Sequence, residues 1–416
     1  MMSEAKLDSS GLLPAKTESF IADSEDNKSS STEGPDSPDQ SSSASPIPPS
    51  MMISPHHILQ NDDFQPLYSV RFTDHITKNG DVIKYRLNVI RLKDSQISTI
   101  DREYEDFEYL HHAVSTSGNK EGICFPPLPL KPSTDPHSAE ARAKLQLGNG
   151  NRILRGEDYS RNIRLFEKYL YMTLAHPILG ELEALCEFLE KPEAPIRAKI
   201  RRGLFESMFH NFDLRGQSVT PDIDEWFQKE RDWLGRYSAD IKKNSDAYHE
   251  LINCRLRLAN QLCNLSSITR VNGDLNTLNS KLSDCFAEET SNTECLIASE
   301  DCTLGVYLGL YSNYSQSLNT MMNKRTSLMI EYDNASKALA KAKLSKIGAA
   351  KVTKDALETR YNDCSNLAKV EIKRFHQRRI TEMKEAILHY TEGQIKAAKE
   401  ASGGLFKAVE SFKNIS

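Results

Sequence analysis

The fold is decided by FPPLPLKP, residues 125–132, and by the absence of any proline after Pro221. The chain has 416 residues and seventeen prolines, so almost half of its length lacks the residue that most effectively breaks a helix. The segment before the proline-rich stretch alternates as strands do, whereas the proline-free part is typical of a few very long helices. We therefore expect a small α+β module joined to a long helical domain.

Composition limits the class of protein. Hydrophobic residues make up 38% and charged residues 27% of the chain, as in a soluble protein with a core. No apolar run approaches the roughly eighteen residues that a membrane-spanning helix needs. A net charge of −5 argues against a general nucleic-acid-binding protein. The first residues lack the basic and apolar regions of a secretion signal, so we expect a cytoplasmic protein.

The chain divides into four predicted parts. Residues 1–62 are rich in serine and proline, with little to bury, and are expected to be a disordered tail. Residues 63–192 form the α+β module and residues 193–220 a linker. Residues 221–416 form the helical domain.

Within the α+β module, the period-two alternation of apolar residues predicts a three-stranded antiparallel sheet. Two strands lie near residues 68–72 and 83–89, joined by a tight turn at 78–81, and a third lies near 97–104. Three- and four-residue spacing predicts helices over 106–114, 162–174 and 184–189. In the helical domain the same spacing predicts three long helices, beginning near Trp226, Leu275 and Leu357, that form an elongated bundle. A bend in the second of these helices is expected near Gly305 and Gly309.

The linker contains a candidate membrane-inserting helix. Its apolar residues share one helical face, and basic residues precede them. That face is formed by Leu204, Phe205, Met208, Phe209 and Phe212. Such a helix suits the interface of an anionic membrane. The alternative, packing of the same face on a neighbouring helix, is left open by the sequence.

The helical domain carries a basic region. Between residues 323 and 360, nine basic residues stand against four acidic ones, a net charge of +5. Each lysine or arginine held near an anionic leaflet contributes about 1 kcal/mol to binding. The predicted lipid contacts on the curved face are Lys324, Arg325, Lys341, Lys343, Lys346 and Lys351. The alternative is a solvated face whose charges serve solubility.

Several motifs resemble those of a known family. REYEDF (102–107), FPPLPLK (125–131), FEKYL (166–170) and HPIL (176–179) follow the order seen in phox-homology (PX) domains. The helices that follow resemble the BAR domain of sorting nexins. With the stretch at 332–342, the chain is most similar to the branch of sorting nexins five and six. The resemblance covers residues 66–416.

The resemblance implies a protein that dimerises through its BAR helices on endosomal membrane and supports the return of cargo toward the Golgi. The implied partners are an anionic or phosphoinositide membrane, a second copy or a sorting nexin of the one and two branch, a retromer-type complex and the tails of transmembrane cargo. No cofactor, metal ion, catalytic residue or nucleic acid is expected.

The resemblance also implies a phosphoinositide pocket. Its candidate residues are Arg102, Tyr104, Lys131, Arg161 and Arg164. The family places an arginine directly before the first aromatic, where this chain has Glu103. The family's second arginine falls at Ile163, one residue from Arg164. A carboxylate repels a phosphate, so weak or altered phosphoinositide binding is expected.

Two functional hypotheses remain. In the first, the chain is a membrane-remodelling coat subunit. In the second, it is a non-catalytic interaction scaffold or cargo adaptor that binds little lipid directly. An enzyme is disfavoured because the sequence has no Walker loop, GxSxG or HExxH motif. His111 and His112, next to Asp106, are expected to cap or decorate a helix rather than to act in catalysis.

Overall fold

The computed structural model describes residues 64–79, 82–116, 121–132, 159–193, 221–271 and 276–415. The predicted N-terminal tail lies outside the described residues. So do residues 194–220 of the linker and residues 80–81 of the turn at 78–81. The boundaries of the four parts stay predictions.

The first described elements form a three-stranded antiparallel sheet in the order β1-β2-β3. The strands are β1 (Tyr68–Asn79), β2 (Val82–Arg91) and β3 (Gln96–Glu103). On β2 the apolar positions of the period-two pattern, from Ile83 to Val89, are buried, while the alternate positions are more exposed. Leu87 stands opposite Ile100 of β3 in the register. The alternation in the sequence therefore identifies the face of β2 that packs against the core.

Three helices cover the sheet. They are α1 (Tyr104–Thr116), α2 (Tyr159–Leu174) and α3 (Glu183–Glu190). Their inward faces contribute Phe107, Phe166 and Phe188, all fully buried, and the rings of Phe107 and Phe166 are 4.4 Å apart. These aromatic side chains form the centre of the core because each buries a large apolar area against the sheet.

The helical domain consists of long helices. The first is α4 (Glu225–Val271), and the last is α7 (Ile347–Lys413), which at 67 residues extends for roughly 100 Å. Between them, α5 (Asn276–Glu300) continues through a π-helical turn (Asp301–Gly305) into α6 (Val306–Ala340). The irregularity expected near Gly305 is thus a widened turn within a continuous helix. A short 3-10 turn, Leu344–Lys346, precedes α7.

Aromatic side chains hold the long helices together. Phe375 of α7 is buried with its ring 5.1 Å from Tyr314 and 6.0 Å from Tyr311, both on α6. Phe227 and Leu234 of α4 join the same cluster. The predicted fold class is confirmed: an α+β module with an antiparallel sheet is followed by a largely helical domain. No helix within the described ranges combines the length and apolarity needed to cross a bilayer.

The α+β module packs directly on the bundle. Met172 of α2 and Cys124 belong to the same buried cluster as the aromatic residues of α6 and α7. Lys168 of α2 is also buried at this contact, with its Nζ 3.8 Å from Oε1 of Glu382 on α7. Burial alone would lower the pKa of Lys168, but the charge of Glu382 and the neighbouring Tyr307 hydroxyl raise it. The ammonium group therefore stays charged and paired at this contact.

Candidate lipid-binding sites

The structure brings two of the five predicted pocket residues together. Tyr104 begins α1, and its hydroxyl donates to the carbonyl of Pro129 at 3.1 Å. Lys131 lies on the proline-rich segment, with its Nζ 5.9 Å from the centre of the Tyr104 ring. Burial, with help from Glu108 and Glu105, raises the pKa of Tyr104 to about 12. The phenol is therefore neutral at physiological pH and anchors the segment that carries Lys131.

Carboxylates occupy the surroundings of these two residues. Lys131 Nζ lies 2.5 Å from Oε1 of Glu105, and Lys84 Nζ lies 3.3 Å from Oε1 of Glu103. Glu103 and Lys84 face each other across β3 and β2. Each ammonium group thus has a carboxylate partner before any phosphate arrives. The local charge is balanced, which does not favour an anionic headgroup.

Arg102 is placed away from this site, which argues against its predicted role as a phosphate ligand. Its side chain is fully buried, with 0% exposed. The guanidinium donates to the carbonyl of Phe188 at 2.7 Å from Nη2 and also to the carbonyls of Lys191 and Pro192. These carbonyls lie at the end of α3, where intrahelical donors are missing. Arg102 therefore closes the C-terminus of α3.

Arg161 of α2 is also separate from Tyr104 and Lys131. Arg161 points to the bundle, with Nη2 2.9 Å from Nε2 of His249 on α4 and Nε 3.7 Å from Oδ1 of Asp301. That placement makes Arg161 a contact between the module and the bundle. Arg164 is half-buried, and its charge acts on Glu167 of the same helix. Four of the five predicted pocket residues are therefore divided among three places: Tyr104 with Lys131, Arg102 at the end of α3, and Arg161 at the bundle.

The predicted membrane-inserting helix lies outside the described residues. Its five apolar positions, Leu204, Phe205, Met208, Phe209 and Phe212, fall within the segment 194–220. The prediction for that helix stays a prediction.

Arg325 is a second predicted lipid contact that the structure places in the core. Its side chain is 1% exposed and pairs with the buried Asp222, with its guanidinium carbon 3.4 Å from the centre of the Phe227 ring. It also donates to the Tyr361 hydroxyl at 2.8 Å and to Ser365 Oγ at 2.9 Å. A guanidinium held in this way cannot reach a membrane. Its role is to fasten α4, α6 and α7 together.

The remaining basic candidates are accessible. Lys324 is half-buried on α6. The other four are exposed and lie where α6 turns into α7: Lys341, Lys343, Lys346 and Lys351. Within the described ranges, no carboxylate lies at ion-pair distance from these four lysines. They form the basic turn, which has unbalanced positive charge available for an anionic surface.

Sequence reasoning missed the polar contacts between the module and α7. His176, in the loop after α2, has Nε2 3.0 Å from Oε1 of Glu371, and Arg374 pairs with the same carboxylate. All three side chains are buried. About 195 residues separate His176 from Glu371, so no local pattern joins them. The only sequence signal is that Glu371 and Arg374 interrupt an apolar stripe three residues apart.

The chain is similar to known proteins over most of its length. Residues 90–192 match the family model of the PX domain. Sorting nexin-32 of Mus musculus is 26% identical over 368 residues, which cover 80% of this chain and 90% of that protein. Sorting nexin-6 of Homo sapiens is 25% identical over 359 residues, covering 79% and 85% respectively.

Among solved structures, one of the SNX-BAR Mvp1 tetramer covers 82% of this chain and 99% of its own, at 12% identity and a TM-score of 0.39.

Proposed function

We propose, from the premise that this chain is a PX–BAR sorting nexin of the five and six type, that it dimerises through its long helices on endosomal membrane. There it binds or bends the membrane and supports retrograde sorting of cargo from endosome to Golgi with retromer-type partners. It acts as a structural subunit without catalysis of its own, peripheral on early endosomes and their tubules.

The observation that carries the proposal is an exposed apolar stripe along two of the long helices. On α4, Leu251, Leu258 and Leu265 are exposed and follow one another at seven-residue intervals. On α7, Ile380 and Ile387 repeat the same interval. Exposed large apolar residues at this spacing are typical of a helical interface that a second helix covers. The partner is a second copy or, by analogy with the five and six branch, a sorting nexin of the one and two branch.

The basic turn supports contact with an anionic membrane. Its four exposed lysines lack carboxylate partners within the described ranges, so their charge is available to lipid headgroups. Binding of this kind weakens as salt rises, because the charges are screened.

Vesicle co-sedimentation tests the membrane part of the proposal. Lys343→Glu with Lys346→Glu should lower binding to phosphatidylserine vesicles by at least about tenfold, since four units of charge change near the surface. The matched control is Lys242→Glu with Lys243→Glu, an equal charge change at exposed positions of α4. Equal binding by both double variants and the unmodified chain would contradict a membrane contact at the basic turn.

A second function is favoured by the balanced pocket. Because Glu103 and Glu105 pair with the neighbouring lysines, the PX module is poorly suited to bind phosphoinositide. The chain would then act as an interaction scaffold or cargo adaptor whose own lipid contact is small, while its partner in the dimer holds the membrane. If the isolated chain fails to sediment with vesicles but sediments together with a partner sorting nexin, this second function is supported.

A further inference from the structure

The turn between α6 and α7 exposes apolar side chains among its lysines. Leu344 is 93% exposed and Val352 is 71% exposed, and Ile347 lies between them at 40%. A single exposed leucine is ordinary on a protein surface, but three exposed large aliphatic side chains within nine residues are a local concentration of apolar surface, which we call the apolar patch. The patch is surrounded by Lys341, Lys343, Lys346 and Lys351.

The backbone of the turn is ordered without any help from these side chains. Lys341 N–H donates to the carbonyl of Ala338 at 3.2 Å, and Lys346 N–H donates to the carbonyl of Lys343 at 2.8 Å. No described side chain caps the start of the 3-10 turn. The aliphatic residues are therefore displayed on a compact turn whose own hydrogen bonds fix its shape.

The charge of the region restricts what can cover the patch. From residue 334 to residue 354 the sequence has six lysines and no acidic residue. Two of the six are neutralised, Lys337 by Asp333 at 2.5 Å and Lys354 by Glu358 at 2.5 Å. The four that remain form the basic turn. A second copy of the same turn would meet it with like charge, so self-association at this place is disfavoured.

We infer that the basic turn is a membrane wedge: its lysines bind anionic headgroups while Leu344, Ile347 and Val352 enter the boundary between headgroups and acyl chains. Aliphatic residues flanked by lysines are the combination that suits this boundary, because each lysine stem extends its ammonium group back to the headgroups. The inference rests on the proposed membrane function and adds to it a hydrophobic contact at a defined place in the fold.

A depth measurement tests the wedge directly. In Leu344→Trp, the new indole should be quenched by lipids brominated on the acyl chain when phosphatidylserine vesicles are added to the full chain. The signals of Trp226 and Trp233 are subtracted with the unmodified chain. The matched control is Thr359→Trp, which places an indole at an exposed position about three turns after the start of α7 and should show no added quenching.

A binding measurement supplies the second readout. Leu344→Ser with Val352→Ser should weaken binding to the same vesicles about tenfold while leaving the dependence on salt unchanged, since no charge is altered. Leu92→Ser, the same type of change at an exposed position of the α+β module, should leave binding unchanged. The circular dichroism of each variant should match that of the unmodified chain.

The outcomes separate the wedge from the membrane function on which it rests. Vesicle binding without quenching at position 344 overturns the wedge and leaves the proposed function standing. An absence of vesicle binding by the unmodified chain overturns both. Quenching at position 344 with weakened binding of the serine variant supports the wedge. Unchanged binding of the serine variant, or capture of the turn by a soluble acidic protein in place of the vesicles, contradicts it.

Discussion

His176 Nε2 lies 3.0 Å from Oε1 of Glu371 and so joins the α+β module to the longest helix of the bundle. The other ring nitrogen, Nδ1, accepts hydrogen bonds from the backbone N–H groups of Ile178 and Leu179. Since Nδ1 is an acceptor, Nε2 carries the proton that is donated to Glu371. The loop after α2 thus fixes the histidine, and the histidine fixes the position of the module on α7.

Removing the charge of Glu371 should destabilise the protein. Glu371→Gln removes the charged carboxylate that His176 and Arg374 share, and breaking one side of a buried ion pair costs about 3–5 kcal/mol of unfolding free energy. Chemical denaturation measures the loss. Glu410→Gln, which removes the carboxylate of the exposed pair with Lys413, is the matched control and should change the free energy by less than about 0.5 kcal/mol. An equal loss of unfolding free energy in both variants would show that the buried contact at Glu371 stabilises the protein no more than an exposed ion pair does.

Stability should fall as the pH is lowered, because of His111. Burial, with a smaller effect of His112, lowers the pKa of His111 to about 4. In the unfolded chain the pKa is about 6.5, so between these values the unfolded state binds more protons than the folded state. The stability from this group is fully present above pH 6.5 and is lost as the pH falls toward 4, by about 3 kcal/mol in all.

His111→Gln should flatten that part of the pH profile. The variant starts from a lower stability at pH 7, because the buried ring is lost, but its slope between pH 6.5 and 4 should be shallower. His75→Gln, at an exposed position of β1, should keep the steep slope. If the unfolding free energy of the unmodified chain does not change between pH 6.5 and pH 4, the effect attributed to His111 is refuted.

Arg325 should contribute to the free energy of unfolding and make no contact with lipid. Arg325→Leu leaves the buried Asp222 unpaired and should lower the unfolding free energy by about 3–5 kcal/mol. Adding Asp222→Leu should recover part of the loss, because no buried charge then remains without a partner. Chemical denaturation of the two single variants and the double variant gives the coupling free energy between Arg325 and Asp222. Additive losses would contradict a paired, buried charge at this position.

The PX module should gain phosphoinositide binding from one change. Glu103→Arg replaces the carboxylate beside Tyr104 with the arginine that the family pattern has at that position. A new charge-assisted hydrogen bond to phosphate should tighten binding to phosphatidylinositol 3-phosphate vesicles by about tenfold. Glu108→Arg, with the same change in charge on α1, is the control and should have a smaller effect. Equal gains would point to net charge alone, and no gain would show that the pocket is lost for other reasons.

The elements of this fold could be predicted from sequence because their signals are local. Period-two alternation predicted the strand from Ile83 to Val89, and the absence of proline predicted the long helices. Because side chains alternate along a strand, Arg102 and Glu103 lie on opposite faces of β3, and the structure finds Arg102 buried against the end of α3. Strand alternation does not predict the hydrogen-bond partners of Arg102, because the carbonyls at the end of α3 lie more than 80 residues away in the sequence.

The candidate sites were harder to predict, because the role of a charged residue depends on distant partners. Arg325 belongs to a basic run in the sequence, yet Met321, Met322, Leu328 and Met329 are all buried and place it on the core face of α6. Three- and four-residue spacing from these neighbours is the signal that would have identified it. Its partner Asp222, about a hundred residues earlier, gives no such local signal. The residues around Lys341, Lys343, Lys346 and Lys351 show no apolar spacing that would predict burial. The structure finds these four lysines exposed.

The central claim, that the long helices form a two-chain bundle through their exposed apolar stripe, is tested most directly by light scattering on the purified full chain. The 46.9 kDa chain, alone or mixed with a sorting nexin of the one and two branch, should elute at the mass of two chains. Leu258→Arg with Ile387→Arg should reduce that to one chain, because each arginine places a charge in the stripe. A single-chain mass for the unmodified protein under both conditions, or a two-chain mass that survives both substitutions, would contradict the claim.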